Sequence, residues 1–308
     1  MSRVAVVGGG ASPEHEVSLA SAAGVAGALR AAGHEVVELT VGGDGSWHGE
    51  GIAGLADAVA VLASCAAVFP ALHGVHGEDG TLAALCDLVG VPCIGSPLAA
   101  GALAMDKWAT KLVAAAVGVR TADGVLLTRG TPYSFSGTVV VKPVTAGSSH
   151  GVALVGAAAE LGPALEAAFD LDDRVLVEEV IIGREIDVAV LGRPSGARVV
   201  APALEVVRDG IFDTEAKYGG SADFRIPAVL DDAERKGLED AAVAMYDALG
   251  CGGVARIDFF LTDDGPVLNE VNTMPGFTRE SQVPKMFAAA GTSYAELLDL
   301  LVHDVLAP

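Results

Sequence analysis

The hydrophobic pattern changes character twice along the 308 residues. In the first third, short apolar runs alternate with stretches of helical period. Residues 4–7 read as a buried strand; Ser12 then N-caps a helix with Pro13 at its first position and Glu14 in its first turn, running to Gly33. Residues 34–40 give the next strand, and 68–72, 81–89 and 91–94 continue the alternation. This pattern predicts a parallel, doubly wound α/β domain. Its ligand loops lie at the strand C-termini, here 8–16 (GGGASPEHE) and 71–80 (ALHGVHGEDG). A long apolar helix is predicted over 98–117, followed by strands with glycine turns at 138–143, 151–155, 174–180 and 185–192. Residues 208–227 read as an irregular loop, and 231–249 as a helix. Two strand-like runs, ARIDFFL and PVLNEVN, then flank the turn-former TDDG within 255–276, which signals a hairpin. Helices at 280–290 and 294–302 close the chain, with no internal repeats or low-complexity tails.

The hairpin carries the strongest local chemistry. With the turn centred on Asp264, the opposed pairs are Arg256–Asn272, Asp258–Glu270 and Phe260–Leu268. Side chains alternate faces along a strand, so all six are expected on one side. Two carboxylates directly opposite each other repel, and the arrangement makes sense if cations sit between them. Oxygen ligands of this kind suit Mg²⁺, which takes one or two carboxylates and completes its shell with phosphate and water. The competing reading is a solvated acidic face.

Bulk composition narrows the classes of partner. Hydrophobic residues make up 51% and aromatics 5%, so the cores are built of Ala, Val and Leu. A net charge of -21 argues against a nucleic-acid or anionic-membrane partner. Cys65, Cys86, Cys93 and Cys251 show no metal spacing and read as small core residues in a reducing cytosol. The apolar run in MSRVAVVGGG is too short for a signal peptide or anchor, and no run is long enough to span a membrane. Within 139–151 (VVVKPVTAGSSHG), a strand delivers Lys142 into a Gly/Ser-rich loop able to cradle phosphate, or else a mobile surface loop. Neither this loop nor Gly8–Gly10 matches the P-loop or the dinucleotide fingerprint. His73 and His76 lack a third ligand, so hydrogen-bonding roles are preferred for them.

In combination the segments are specific. MDKWATK, VVVKPVTAGSSHG, VLVEEVIIGREIDV, FDTEAKY and ARIDFFL…LNEVNTMPGFT stand in the order of the ATP-grasp enzymes. With GGGASPEHEVSLAS and ALHGVHGEDGT in front, the whole chain resembles the D-alanine–D-alanine ligase family. That resemblance implies an N-terminal α/β substrate domain (1–96) followed by a two-lobed α+β ATP-grasp fold, with a central lobe (97–180) and a C-terminal lobe (181–308). It implies that Lys107 and Lys142 contact ATP phosphates, that Ser149 binds ATP, and that Glu178 meets the adenine and Glu185 the ribose. Phe260 and Leu268 would pack near the base, and Lys217 would reach the γ-phosphate when the long loop closes. Asp258, Glu270 and Asn272 would hold two Mg²⁺ or Mn²⁺ ions. Glu14, with His73 nearby, would bind the ammonium of the first D-alanine, and Ser281 the carboxylate of the second. Arg256 and the Gly276 N–H would hold the oxyanion, and Glu14, Ser148 and Tyr218 would form a trio closing the loop.

The implied reaction is an ADP-forming carboxylate–amine ligation through an acylphosphate, in a cytoplasmic homodimer serving peptidoglycan synthesis. Some positions depart from the usual pattern. His150 replaces a small apolar residue, TAG lacks a charge, and Gln282 stands where Leu or Met usually lines the second-substrate pocket. Gln282 keeps open a ligase with another acceptor, such as D-serine, in secondary metabolism; its amide could instead face solvent. Tyr218 argues against D-lactate as acceptor. A non-catalytic paralogue binding ATP or an amino acid is the remaining alternative, disfavoured by the intact metal and phosphate positions.

Overall fold

A computed structural model describes residues 1–207 and 223–307. The chain begins with β1 (Arg3–Gly9), α1 (His15–Ala31), β2 (Glu35–Val41), β3 (Trp47–Gly49), α2 (Leu55–Ala63), β4 (Ala67–Pro70) and α3 (Thr81–Val89). These build a four-stranded sheet of order β3-β2-β1-β4, in which β1 runs parallel to β2 and β4 and the edge strand β3 is antiparallel. Alternation along β1 feeds two cores. Val4 and Val6 pack with Val25 and Leu29 of α1, whereas Ala5 and Val7 pack with Leu62 of α2 and Leu82 and Cys86 of α3. Helix α1 starts later than the sequence suggests. Ser12 turns its hydroxyl to the His73 carbonyl at 2.8 Å, and Glu14, not Ser12, occupies the N-cap position.

Next come α4 (Leu98–Met105) and α5 (Lys107–Ala116). The single helix expected at 98–117 is broken at Asp106, whose side chain caps α5 by accepting from Ala109 N at 2.9 Å and pairs with Arg174 at 2.7 Å. The break lets Lys107 N donate to Val144 O at 3.2 Å, which ties the helix start to the next sheet. That sheet, of order β5-β8-β6-β7, contains β5 (Gly124–Thr128), β6 (Val139–Pro143), β7 (Ala153–Val155) and β8 (Arg174–Glu179). Helix α6 (Ala158–Phe169) covers the face bearing Val139, Val141, Val175 and Val177. Lys142 and Glu178 therefore stand on the opposite face.

The largest sheet holds β9 (Arg184–Gly192), β10 (Arg198–Val200), β11 (Leu204–Val207), β12 (Asp223–Arg225), α7 (Asp232–Leu249) packed against it, and the hairpin β13 (Val254–Thr262) and β14 (Gly265–Asn272). Part of the expected loop is thus strand β12, and 208–222 lies outside the described residues. Asp231 and Glu234 form the capping box that starts α7. One sheet face buries Ile186, Ile257, Phe259 and Leu261 under α7. The other buries Ala189, Leu191 and Val254 against α1, α8 (Gln282–Ala289) and α9 (Tyr294–Val305), so it shares a core with the first sheet. Its polar end carries the candidate site.

The hairpin register agrees with the sequence for two pairs and departs at the third. Arg256 faces Asn272 and Asp258 faces Glu270, but a β-bulge follows, so Phe259 faces Leu268 and Phe260 faces Val267. The extra residue, Asn269, flips the parity beyond it. Leu268 joins Phe259 in the core under α7 and does not share a face with the carboxylates. Period-2 alternation cannot reveal a single inserted residue.

Candidate active site

Three segments converge where the strand C-termini of the first sheet meet the hairpin. Ser18 fastens the first loop by accepting from Gly9 N at 2.8 Å and donating to Ala71 O at 2.6 Å. His73 is 4% exposed, with Ser21 Oγ at 3.4 Å from Nε2. Burial lowers its pKa and Glu14 opposes the shift only in part, which favours the neutral ring. Glu14 reaches across to the second sheet's loop, where Ser148 Oγ donates to its Oε1. Ser148 and Ser149 are consecutive non-glycine residues in the left-handed region, at φ 51 and 57. Backbone held there is strained, and such strain gathers at ligand clamps. Tyr218 and Lys217 lie outside the described residues.

On the hairpin, Arg256 grips Asp258 with a fork: Nε donates to Oδ1 at 2.7 Å and a terminal nitrogen to Oδ2 at 2.8 Å. Asn272 Nδ2 adds a bond to Asp258 Oδ2 at 3.0 Å. Burial works against the Arg256 charge, but Asp258, Asp187 and Glu270 outweigh it and hold the proton more tightly than usual. The Gln282 amide is engaged at both ends. Its Oε1 accepts from Arg256 at 2.5 Å and its Nε2 donates to Asp187 at 2.7 Å. Ser281 does not cap α8 with its side chain. Its hydroxyl instead meets Thr278 N at 3.0 Å and Thr278 Oγ1 at 2.8 Å, and a methyl on Gly276 would lie 3.0 Å from it.

The second sheet contributes cations. Glu178, 4% exposed, binds Lys142 at 2.5 Å and Lys111 at 2.6 Å. Burial opposes its ionisation, but the two lysines prevail and lower its pKa. Lys107 Nζ donates to Ala146 O at 2.6 Å. Burial lowers its pKa and Glu270 resists. Lys107, Glu78, Glu270, Asn272 and Gly147 line one small open pocket. On the large sheet, Glu185 pairs with Phe260 and shares the face of Asp187 and Asp258.

Sequence reasoning missed Lys111, Glu78 and Asp187. Lys111 sits one helical turn from Lys107 within the quoted MDKWATK, so its signal was present. Glu78 lay in the loop read for its histidines. Asp187 pairs with Asp258 across β9 and β13, a contact between distant strands with no local signal.

Glu78 yields a pH prediction. Burial, with Glu14 next, raises its carboxyl from 4.5 to about 8. Between those values the folded state holds a proton that the unfolded state has lost, so stability falls as pH rises through that window. For protein free of nucleotide and metal, urea midpoints at about pH 5 and about pH 9 should differ less in Glu78→Gln than in the wild type. An equal difference in both proteins would remove Glu78 as the cause.

Asp258 and Glu270 face each other with the Asn272 carboxamide beside them, an all-oxygen set. Among the described residues no three His, Cys, Asp or Glu side chains form a complete metal cage. That set fits Mg²⁺ whose shell is completed by phosphate and water, and it does not fit a thiolate or imidazole metal.

The family description "D-ala D-ala ligase N-terminus" matches residues 3–58, and "D-ala D-ala ligase C-terminus" matches residues 131–303. A D-alanine–D-alanine ligase of Mycolicibacterium smegmatis is 39% identical, covering 99% of this chain and 95% of the relative. One from Nocardia farcinica is 38% identical over 99% and 97%. Among solved structures, a D-Ala:D-Ser ligase from Enterococcus faecalis superposes with TM-score 0.84 at 32% identity, covering 98% of this chain and 99% of that one. A D-alanine–D-alanine ligase from Bacillus anthracis complexed with ATP gives TM-score 0.84 at 28% identity, covering 99% and 98%. With both halves matched and the relatives aligned almost end to end, the chain belongs to the D-alanine–D-alanine ligase family.

Proposed function

We propose that this enzyme joins two D-alanines to D-alanyl-D-alanine at the expense of ATP, through an acylphosphate, for peptidoglycan precursor synthesis. The observation that carries the reading is convergence: Glu14–Ser148, the Arg256–Asp258–Asn272 cluster and Lys107 approach one site from three sheets. In the first step a carboxylate oxygen of the first D-alanine attacks the γ-phosphorus and ADP leaves. Here the protein's part is positioning and neutralisation of charge. Lys107 and Lys142 are assigned to the phosphates, and Lys142 must exchange Glu178 for its ligand as the adenine engages Glu178. Ser149 joins the ATP contacts, Glu185 meets the ribose and Phe260 the base, whereas Leu268 packs in the core under α7. Asp258, Glu270 and Asn272 would hold two Mg²⁺, which when bound neutralise the phosphate oxygens.

In the second step the amine of the other D-alanine attacks the acyl carbon and phosphate leaves. Three of the five Arg256 N–H donors are engaged within the site. The remaining two, with the Gly276 N–H, are assigned to the oxyanion. Glu14 would take the ammonium of the first D-alanine beside neutral His73, and Ser281 the carboxylate of the second. Lys217 and Tyr218 are assigned to the γ-phosphate and to closure with Glu14 and Ser148.

The division at 96/97 and 180/181 and the doubly wound reading of the first unit belong to this proposal, supported by the helices on both faces of its sheet. The homodimer and the cytoplasmic setting rest on the family resemblance; among the described residues no helix is long and apolar enough to cross a membrane. The test is a screen of D-amino acids by phosphate release with product masses. D-alanine alone should support release and yield the mass of its dipeptide. ATP turnover indifferent to D-alanine, or faster with another acceptor, would count against the reading.

A further inference from the structure

Asp187 is 1% exposed in the middle of β9, and its cross-strand neighbour on β13 is another carboxylate, Asp258. A buried carboxylate in that position needs a specific partner. Besides a side-chain hydrogen bond with Asp258, it has an amide partner: Gln282 Nε2 donates to Asp187 Oδ2 at 2.7 Å. The other end of the same amide, Oε1, accepts from Arg256 at 2.5 Å. Arg256 Nε itself lies 3.7 Å from Asp187 Oδ2, so the three groups form a closed cluster.

This arrangement is directional. A guanidinium can only donate, and Asp187 Oδ2 accepts whether or not the other oxygen carries a proton. One orientation of the Gln282 amide satisfies both neighbours. The flipped orientation would set NH₂ against guanidinium and carbonyl against carboxylate. Asp258 fixes one edge of the Arg256 plane through its fork, and Gln282 fixes another. Gln282 can hold that edge only while Asp187 holds Gln282. We propose that Asp187 is a positioning residue for the ligation step, acting through the Gln282 amide to aim the remaining donors of Arg256 at the substrate. This rests on the reading of Arg256 as the oxyanion donor. A corollary concerns the acceptor: the Gln282 carboxamide is oriented by Arg256 and Asp187 and is not free to turn toward a substrate hydroxyl.

The test is steady-state ligation by the full chain, with fold checked by circular dichroism, for Asp187→Asn, Asp187→Ala, Gln282→Met, the Asp187→Ala/Gln282→Met double variant, and Arg256→Ala. Asparagine keeps an acceptor for Gln282, so its kcat should stay within about threefold of wild type. Alanine removes the acceptor, and kcat should fall about tenfold with KM for ATP unchanged, the scale of one lost orienting hydrogen bond. In the Gln282→Met background the alanine change should have little further effect, because the relay is already broken. Three results would each overturn the proposal: wild-type kcat in Asp187→Ala, equal damage in Asp187→Asn and Asp187→Ala, or an undiminished alanine effect in the Gln282→Met background. If Asp187→Ala does not fold, Gln282→Met decides alone. It keeps length and loses the amide, so wild-type kcat in that variant would overturn the proposal. Arg256→Ala separates the two readings. Wild-type ligation there removes the role of Arg256, whereas a damaged Arg256→Ala beside an intact Asp187→Ala removes only the positioning.

Discussion

Glu270→Gln and Asp258→Asn are each expected to lower ligation at saturating Mg²⁺ by about a hundredfold or more. Each substitution removes one negative charge from a pair of carboxylates that face each other across the hairpin. The two variants should differ in stability. Repulsion between facing carboxylates is relieved in both, but Asp258 also receives the Arg256 fork, so Asp258→Asn weakens a buried ion pair. Denaturant midpoints should therefore rank Glu270→Gln above Asp258→Asn, with native secondary structure in both. Wild-type turnover in either variant would sink the metal assignment.

Replacement of Arg256 is expected to be the most damaging single change. Arg256→Leu removes the counter-charge of Asp258 and the neighbour of Asp187, both buried. Leaving buried carboxylates uncompensated costs about 3–5 kcal/mol, and loss of an oxyanion donor lowers kcat by roughly 10²–10³. Arg256→Lys should not rescue activity, because a single ammonium cannot span both Asp258 oxygens and the Gln282 carbonyl. Urea titration and kcat for the two variants test this directly. A lysine variant with wild-type kcat would show that only charge matters at this position.

The legible parts of the fold were those with local signals. The helix expected over 231–249 is α7, and the TDDG turn with its flanking alternation placed Arg256 opposite Asn272 and Asp258 opposite Glu270. Non-local or single-residue features stayed hidden. One inserted residue, Asn269, turned Leu268 to the wrong face for an adenine contact, and Asp106 split a helix that apolar pattern alone made continuous. The Glu14–Ser148 contact followed from resemblance, since no local pattern ties residues 134 positions apart. The Asp187–Gln282–Arg256 cluster needed three segments in register, two strands and a helix start. Gln282 looked like a specificity change in sequence because its partners could not be seen.

The central claim is that this site activates a D-alanine carboxylate by phosphorylation before the amine attacks. If the carboxylate oxygen attacks the γ-phosphorus and the carbon–oxygen bond later breaks, that oxygen departs with phosphate. Ligation with ATP and D-alanine carrying ¹⁸O in both carboxyl oxygens, followed by mass spectrometry of the released phosphate, reads this step. The account predicts one ¹⁸O in phosphate for each dipeptide formed; dipeptide formation with unlabelled phosphate would contradict it.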